Sequence, residues 1–177
     1  ALPVFLEASL GWNFAQVGAF MGTWVIGYGI VQGSAPALRR LWGQTSSPGV
    51  AAVQFWSALL TAIPALIGVA LWRDAIVAVA ITAGLAAFGV VFAMNSSIHS
   101  YMVLAYTDAE SVSLNVGFYY MANAAGRLVG TLLSGAVFML GRTASGGMQA
   151  CLWCSSLLVL LAWLSSLRLP APLRTAS

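Results

Sequence analysis

An all-α polytopic membrane bundle is the fold class this sequence predicts, and three observations predict it. Of 177 residues, 60% are hydrophobic and only 6% are charged, against about 25% charged in a soluble domain. Mean hydropathy is +0.91. The apolar residues fall in continuous runs of about 20 or more, the length that crosses a hydrocarbon core of about 30 Å as a helix. The alternating ten-residue segments of a membrane β-barrel are absent from the pattern.

The runs can be taken in order. Residues 1–10 read as the last turns of a span, ending at the Gly11-Trp12-Asn13 turn. The chain opens at Ala1 on apolar residues, without an initiator methionine or the charged start of a signal peptide, so a fragment is expected. A second run over about 17–38 stops near Pro36 and the Arg39-Arg40 pair, followed by the polar loop 43–49. The third covers 50–72 and is closed by Arg73-Asp74. The fourth, from Ala75, stays apolar to Met94, then turns polar at 95–100 before reaching Tyr106. Its length of roughly 30 residues implies a helix that tilts, breaks near Asn95, or projects from the bilayer. Acidic residues in the loop 107–111 precede a fifth run over 112–140, and a loop over 141–147 leads to a sixth over 148–169. The expectation is therefore about five complete transmembrane helices plus the end of a sixth.

Positive residues are retained on the cytoplasmic side of a multi-pass protein. Alternating spans place Arg39, Arg40, Arg168 and Arg174 on one side and Arg73 and Arg142 on the other, which predicts a cytoplasmic C-terminus. Seven arginines, four acids and no lysine give a net charge of +3. That is too sparse and scattered for nucleic acid, which requires clustered cations. One histidine and four acids assemble no catalytic set, phosphate loop or metal cluster, so neither an enzyme, a cofactor nor a metal is expected. Cys151 and Cys154 have the spacing of a redox or metal motif but lack a second pair, a flanking histidine or a strand-turn context, and read as small packing residues.

The fifth run is the most informative. Ala122, Gly126, Gly130 and Ser134 recur every fourth residue as a ladder of small side chains, the pattern that lets helices approach closely in lipid. Beside it Tyr119, Asn123, Arg127 and Thr131 form a polar ladder. Tight packing along the first is expected to hold the second against the protein interior. An arginine at mid-membrane facing lipid costs several kcal/mol, and no acid occurs in the core of any complete span. Its partner is then a carboxylate from another part of the protein, or an anionic solute held through the planar fork of the guanidinium. The competing reading is a guanidinium that snorkels or bonds to backbone carbonyls.

Other polar residues add to the picture. Trp24, Tyr28 and Gln32 make a four-residue ladder in the second run, read as cavity-lining, while Gly18 with Gly22 and Gly29 with Gly33 read as close-packing contacts. Asn95 with His99, and Ser96 with Ser100, give the fourth helix a wet face near its cytoplasmic half. His99 is a possible proton relay, since its ordinary pKa lies near neutrality, set against a hydrogen-bonded packing role. Glu7 reads as an exposed loop acid in preference to a coupling carboxylate.

The span arrangement, the Arg39-Arg40 loop between the second and third runs, and Gly126-Arg127-Leu128-Val129-Gly130 resemble the C-terminal half of a major facilitator superfamily transporter. More closely, residues 99–106 and 115–135 resemble the organoarsenical efflux permeases of that superfamily. The resemblance spans nearly the whole chain. It implies that residues 1–177 are the C-terminal transmembrane bundle, with an N-terminal six-helix half as partner, in the inner (cytoplasmic) membrane. It also implies efflux of a small organic anion, an arsenylated phosphoglycerate, for arsenic resistance. Arg127, Asn123, Tyr119, Tyr28, Gln32 and Asn95 are then the expected substrate-binding residues. The short charged signature after Arg40 departs from the fuller superfamily motif and supports topology more than function. A proton-coupled exporter of drugs or sugar phosphates, and a membrane scaffold subunit without transport, are the alternatives.

Overall fold

A computed structural model describes residues 1–43, 46–73 and 76–170, and most of the described apolar stretches are helical. Gln44, Thr45, Asp74, Ala75 and residues 171–177, among them Arg174 of the arginine tally, lie outside the described residues. The helices are α1 (Leu2–Leu10), α2 (Phe14–Leu41), α3 (Val50–Trp72), α4 (Val77–Ala105), α5 (Val112–Leu140) and α6 (Ala144–Ser166), with a 3-10 turn, Ala109–Ser111, before α5. Five of them, α2 to α6, are long and apolar enough to cross a membrane. No strand occurs among the described residues.

Local chemistry sets the boundaries. Gly11 closes α1 in the left-handed conformation (φ 67°), donating its N–H to Glu7 O while Trp12 N–H reaches Leu6 O. Asn13 and Gln16 then open α2 with a reciprocal capping box, each side chain accepting from the other's backbone N–H at 2.9 Å. That cap starts α2 three residues before the expected position 17, and the helix runs through Pro36 to Leu41 instead of ending there. Thr143 caps α6 by accepting from Gly146 N–H at 3.0 Å, so α6 starts at Ala144, inside the segment expected to be a loop. The fourth helix is unbroken at Asn95: its 29 residues span about 43 Å at 1.5 Å per residue.

Hydrogen bonds between helices fix the topology. Ser57 of α3 donates to Asn95 of α4, and Ser156 of α6 donates to Thr61 O of α3, at 3.1 and 2.8 Å. Gln54 near the start of α3 reaches Ser166 O at the end of α6. On the flank of α4, Trp24 Nε1 donates to Leu85 O at 2.7 Å and Gln32 Nε2 to Ser96 Oγ at 3.3 Å, so α2 and α4 run parallel. Cys151 Sγ donates to Ser134 O, which sets α5 antiparallel to α6. The helices thus alternate in direction along the chain. Arg39, Arg40 and Arg168 share one end of the bundle, and Arg73 and Arg142 the other.

α3 and α6 form the central pair, α4 packs on α3, α2 on α4, and α5 on α6. One core cluster, around Trp56, Leu60, Met94 and Ile98, lies toward the Arg39 end. A second, around Phe5, Leu6, Ile67, Ile81 and Leu152, lies toward the Arg73 end. Glycines permit the closest approaches: a Cβ on Gly84 would lie 2.5 Å from Ile67 Cγ1, and one on Gly89 3.0 Å from Trp24 Nε1. A Cβ on Gly68 would sit 3.2 Å from the Trp153 ring. By contrast α2 buries only Ala35 and α5 buries nothing, so these two helices carry the open faces.

The residues assigned to close packing from their spacing lie on faces that this bundle leaves open. Gly18, Gly22, Gly29, Gly33, Gly126 and Gly130 have nothing within 4 Å of where a Cβ would stand. Ala122 is exposed as well, and of that ladder Ser134 alone meets α6, at Cys151. Small residues permit a close approach but do not create one. The α5 and α6 contacts seen at Ser134 with Cys151 and at Phe138 with Gly147 involve only the C-terminal part of α5. Consequently the polar ladder is only partly turned toward this bundle: Tyr119 and Asn123 are half-buried, Arg127 and Thr131 exposed.

Candidate functional site: a polar stripe on the open face of α5

Tyr119, Asn123, Arg127 and Thr131 lie at successive turns of α5, one above another on a single face. Tyr119 and Asn123 are half-buried; Arg127 and Thr131 are exposed. Thr131 Oγ1 bonds back to Arg127 O at 2.8 Å, the usual resting place of a threonine hydroxyl in an apolar helix. Among the described residues the Arg127 guanidinium has neither a hydrogen-bond nor an ion-pair partner. Arg127 lies near the midpoint of a 29-residue helix, roughly 20 Å from either end. A guanidinium that deep cannot readily snorkel to an interface, and leaving it against lipid costs about 2.5–3.5 kcal/mol or more. Water, another bundle or an anion must therefore face it.

The remaining expected site residues are distributed differently. Tyr28 is stacked between Trp24 and Phe92, with centroids 5.9 and 5.3 Å away. Together with the Gln32 bond to Ser96, this places the Trp24, Tyr28 and Gln32 ladder in the seam between α2 and α4. Trp24 also lines an apolar cavity of about 180 Å³ with Phe20, Leu85 and Phe88. Asn95 Oδ1 accepts from Ser57 and faces α3. Asn95, Ser96 and His99 thus point to three different neighbours, and the wet face read from their spacing is divided among them. Glu7 is exposed, as expected, but on helix α1, not in a loop.

His99 opens onto a larger cavity of about 570 Å³ at the Arg39 end, where α4, α5 and α6 diverge around Val53 of α3. Tyr106, Thr107, Asn115, Tyr119, Ser165 and Ser166 supply its polar lining. Asn115 Nδ2 donates to Thr107 Oγ1 at 3.3 Å, and Thr107 Oγ1 in turn donates to Val103 O, which pins the turn between α4 and α5. His99 Nε2 is buried without a hydrogen-bond partner. Tyr119 belongs both to this cavity and to the Arg127 stripe, so the two polar features meet at its ring. Sequence spacing could not reveal that junction, because His99 and Tyr119 sit on different helices.

A third cleft, of about 320 Å³, is bounded by Leu85 and Phe88 of α4, Gly130 and Ser134 of α5, and Cys151 and Cys154 of α6. Both cysteines are free thiols. No group of three or more metal-ligating side chains occurs among the described residues. No family model, curated protein or solved structure matches this chain.

Proposed function

We propose that the chain forms the second helical bundle of a major-facilitator-type exporter in the inner membrane, with its C-terminus cytoplasmic and a small organic anion as cargo. The observation that carries this reading is Arg127: a guanidinium near the midpoint of a 29-residue apolar helix, without a partner among the described residues, on a helix that buries nothing. An anion docked there gains charge-assisted hydrogen bonds of about 1.5–3 kcal/mol each. Asn123 and Tyr119, a turn apart on the same face, supply neutral hydrogen-bonding groups. The open faces of α2 and α5 then meet an N-terminal six-helix half across the cargo pathway, as in transporters whose site lies between repeats. Orientation follows from Arg39, Arg40 and Arg168 at one end against Arg73 and Arg142 at the other.

The cargo favoured by the resemblance is an arsenylated phosphoglycerate, whose phosphate and arsenate oxygens suit a guanidinium fork. Everted membrane vesicles containing the intact transporter are expected to accumulate this compound when it is generated in situ by glyceraldehyde-phosphate dehydrogenase from arsenate, NAD and glyceraldehyde 3-phosphate, with NADH as the co-product. Excess 3-phosphoglycerate should suppress that uptake and a lipophilic cation should not. The reverse selectivity contradicts an anion site, and equal uptake by vesicles lacking the protein contradicts transport.

A further inference from the structure

We infer that His99 is the proton-binding residue that couples cargo movement to the pH gradient, acting in the cavity that it and Tyr119 both line. This rests on the transporter reading. Three observations carry it. First, His99 Nε2 is buried and unpartnered, a condition that costs about 1–3 kcal/mol. Its neighbours one turn away on α4, Met102 and Val103, line the same cavity as apolar residues, so packing alone gives no reason for an imidazole there. Second, the cavity of about 570 Å³ is large enough for water beside the ring, and its lining reaches Thr107 and Leu169 beyond the ends of α4 and α6. Third, Tyr119 belongs to both the cavity and the Arg127 stripe, which connects the titrating ring to the cargo residues.

The chemistry is protonation alone. A proton from water adds to the neutral ring to give imidazolium, and the same proton returns to water on the other side after the bundles reorient. The groups around the ring do not compete for that role. Among the described residues the cavity lining includes no carboxylate and no second imidazole: Tyr106 follows α4, Tyr119 comes from α5, Val53 from α3, and Ser165 and Ser166 from α6. The cations Arg168, exposed beyond α6, and Arg127, exposed two turns along α5 from Tyr119, do not line the cavity. α2 lies on another flank of α4, where it offers Tyr28 to Phe92 and Gln32 to Ser96. The acids Asp108 and Glu110 are exposed in the turn after α4 and do not line the cavity.

The test uses the intact transporter in proteoliposomes, with arsenylated phosphoglycerate generated in situ as probe. Two modes are measured: exchange at equal pH, and accumulation driven by a gradient of about one pH unit, which supports about tenfold accumulation for one proton per anion. Wild-type protein should show both. His99→Gln and His99→Asn should retain exchange and lose accumulation, giving an inside-to-outside ratio near unity. Persistent gradient-driven accumulation in either variant, or wild-type exchange that ignores the gradient, overturns the role of His99. Absence of exchange in the wild type overturns the transporter reading itself. Loss of both modes in the two variants, with folding intact by gel filtration, also overturns the coupling role, since it makes His99 a cargo-binding residue.

Discussion

Arg127→Ala is expected to lower export about 100-fold or more while leaving the folded bundle intact. The size follows from losing two charge-assisted hydrogen bonds of about 1.5–3 kcal/mol each, where every 1.36 kcal/mol is tenfold in rate. Arg127→Lys keeps the charge but loses the planar two-pronged geometry, so an intermediate loss of about tenfold is expected. Neither change should alter stability in detergent by more than about 0.5 kcal/mol, the usual range for a residue away from buried contacts, because the guanidinium contacts no partner in this bundle. The measurement is initial-rate uptake paired with thermal unfolding of the same preparations. A large loss of stability in Arg127→Ala would place the side chain in a structural network instead of a cargo site.

Gly141→Ala should do the opposite, destabilising the fold without touching the polar stripe. A Cβ at Gly141 would overlap the backbone N and Cα of Gly147, and one at Gly147 would lie 2.5 Å from Phe138 O. Backbone cannot rotate away as a long side chain can, so the turn joining α5 to α6 must open. Overpacking of this kind costs about 1–3 kcal/mol and occasionally more. Gly135→Ala is the matched control, since nothing lies within 4 Å of its Cβ position and alanine favours a helix over glycine by about 1 kcal/mol. Thermal melts of the two variants in one detergent check the expectation. Equal midpoints would mean that the two helices do not meet as described at this turn.

These two glycines show what could be read from sequence and what could not. The spans were legible because hydropathy reports each residue's own solvent preference: α3 and α5 have the bounds that their apolar runs predict. Caps shifted α2 and α6 because Asn13 and Thr143 act through single hydrogen bonds that hydropathy does not register. Glycine was harder. Gly126 and Gly130 lie on a regular stripe and touch nothing, whereas Gly68, Gly84 and Gly89 form no recognised stripe and receive Trp153, Ile67 and Trp24. What a glycine meets is decided by the path of another helix, which local spacing does not encode. The polar residues divide in the same way. Arg127 was legible because an unpaired charge at membrane depth needs an explanation in any fold, but Tyr28, Gln32 and Asn95 depend on which neighbour they face, and each is engaged by an adjacent helix.

The most direct measurement concerns the environment of position 127. In a transporter carrying Cys151→Ser and Cys154→Ser, a cysteine replacing Arg127 should react with membrane-impermeant thiosulfonates at rates comparable with a cysteine in the 43–49 loop. Such reactivity would establish water at mid-membrane depth beside α5. Labelling by lipid-soluble reagents alone would put that face in hydrocarbon and remove the aqueous path on which anion export depends.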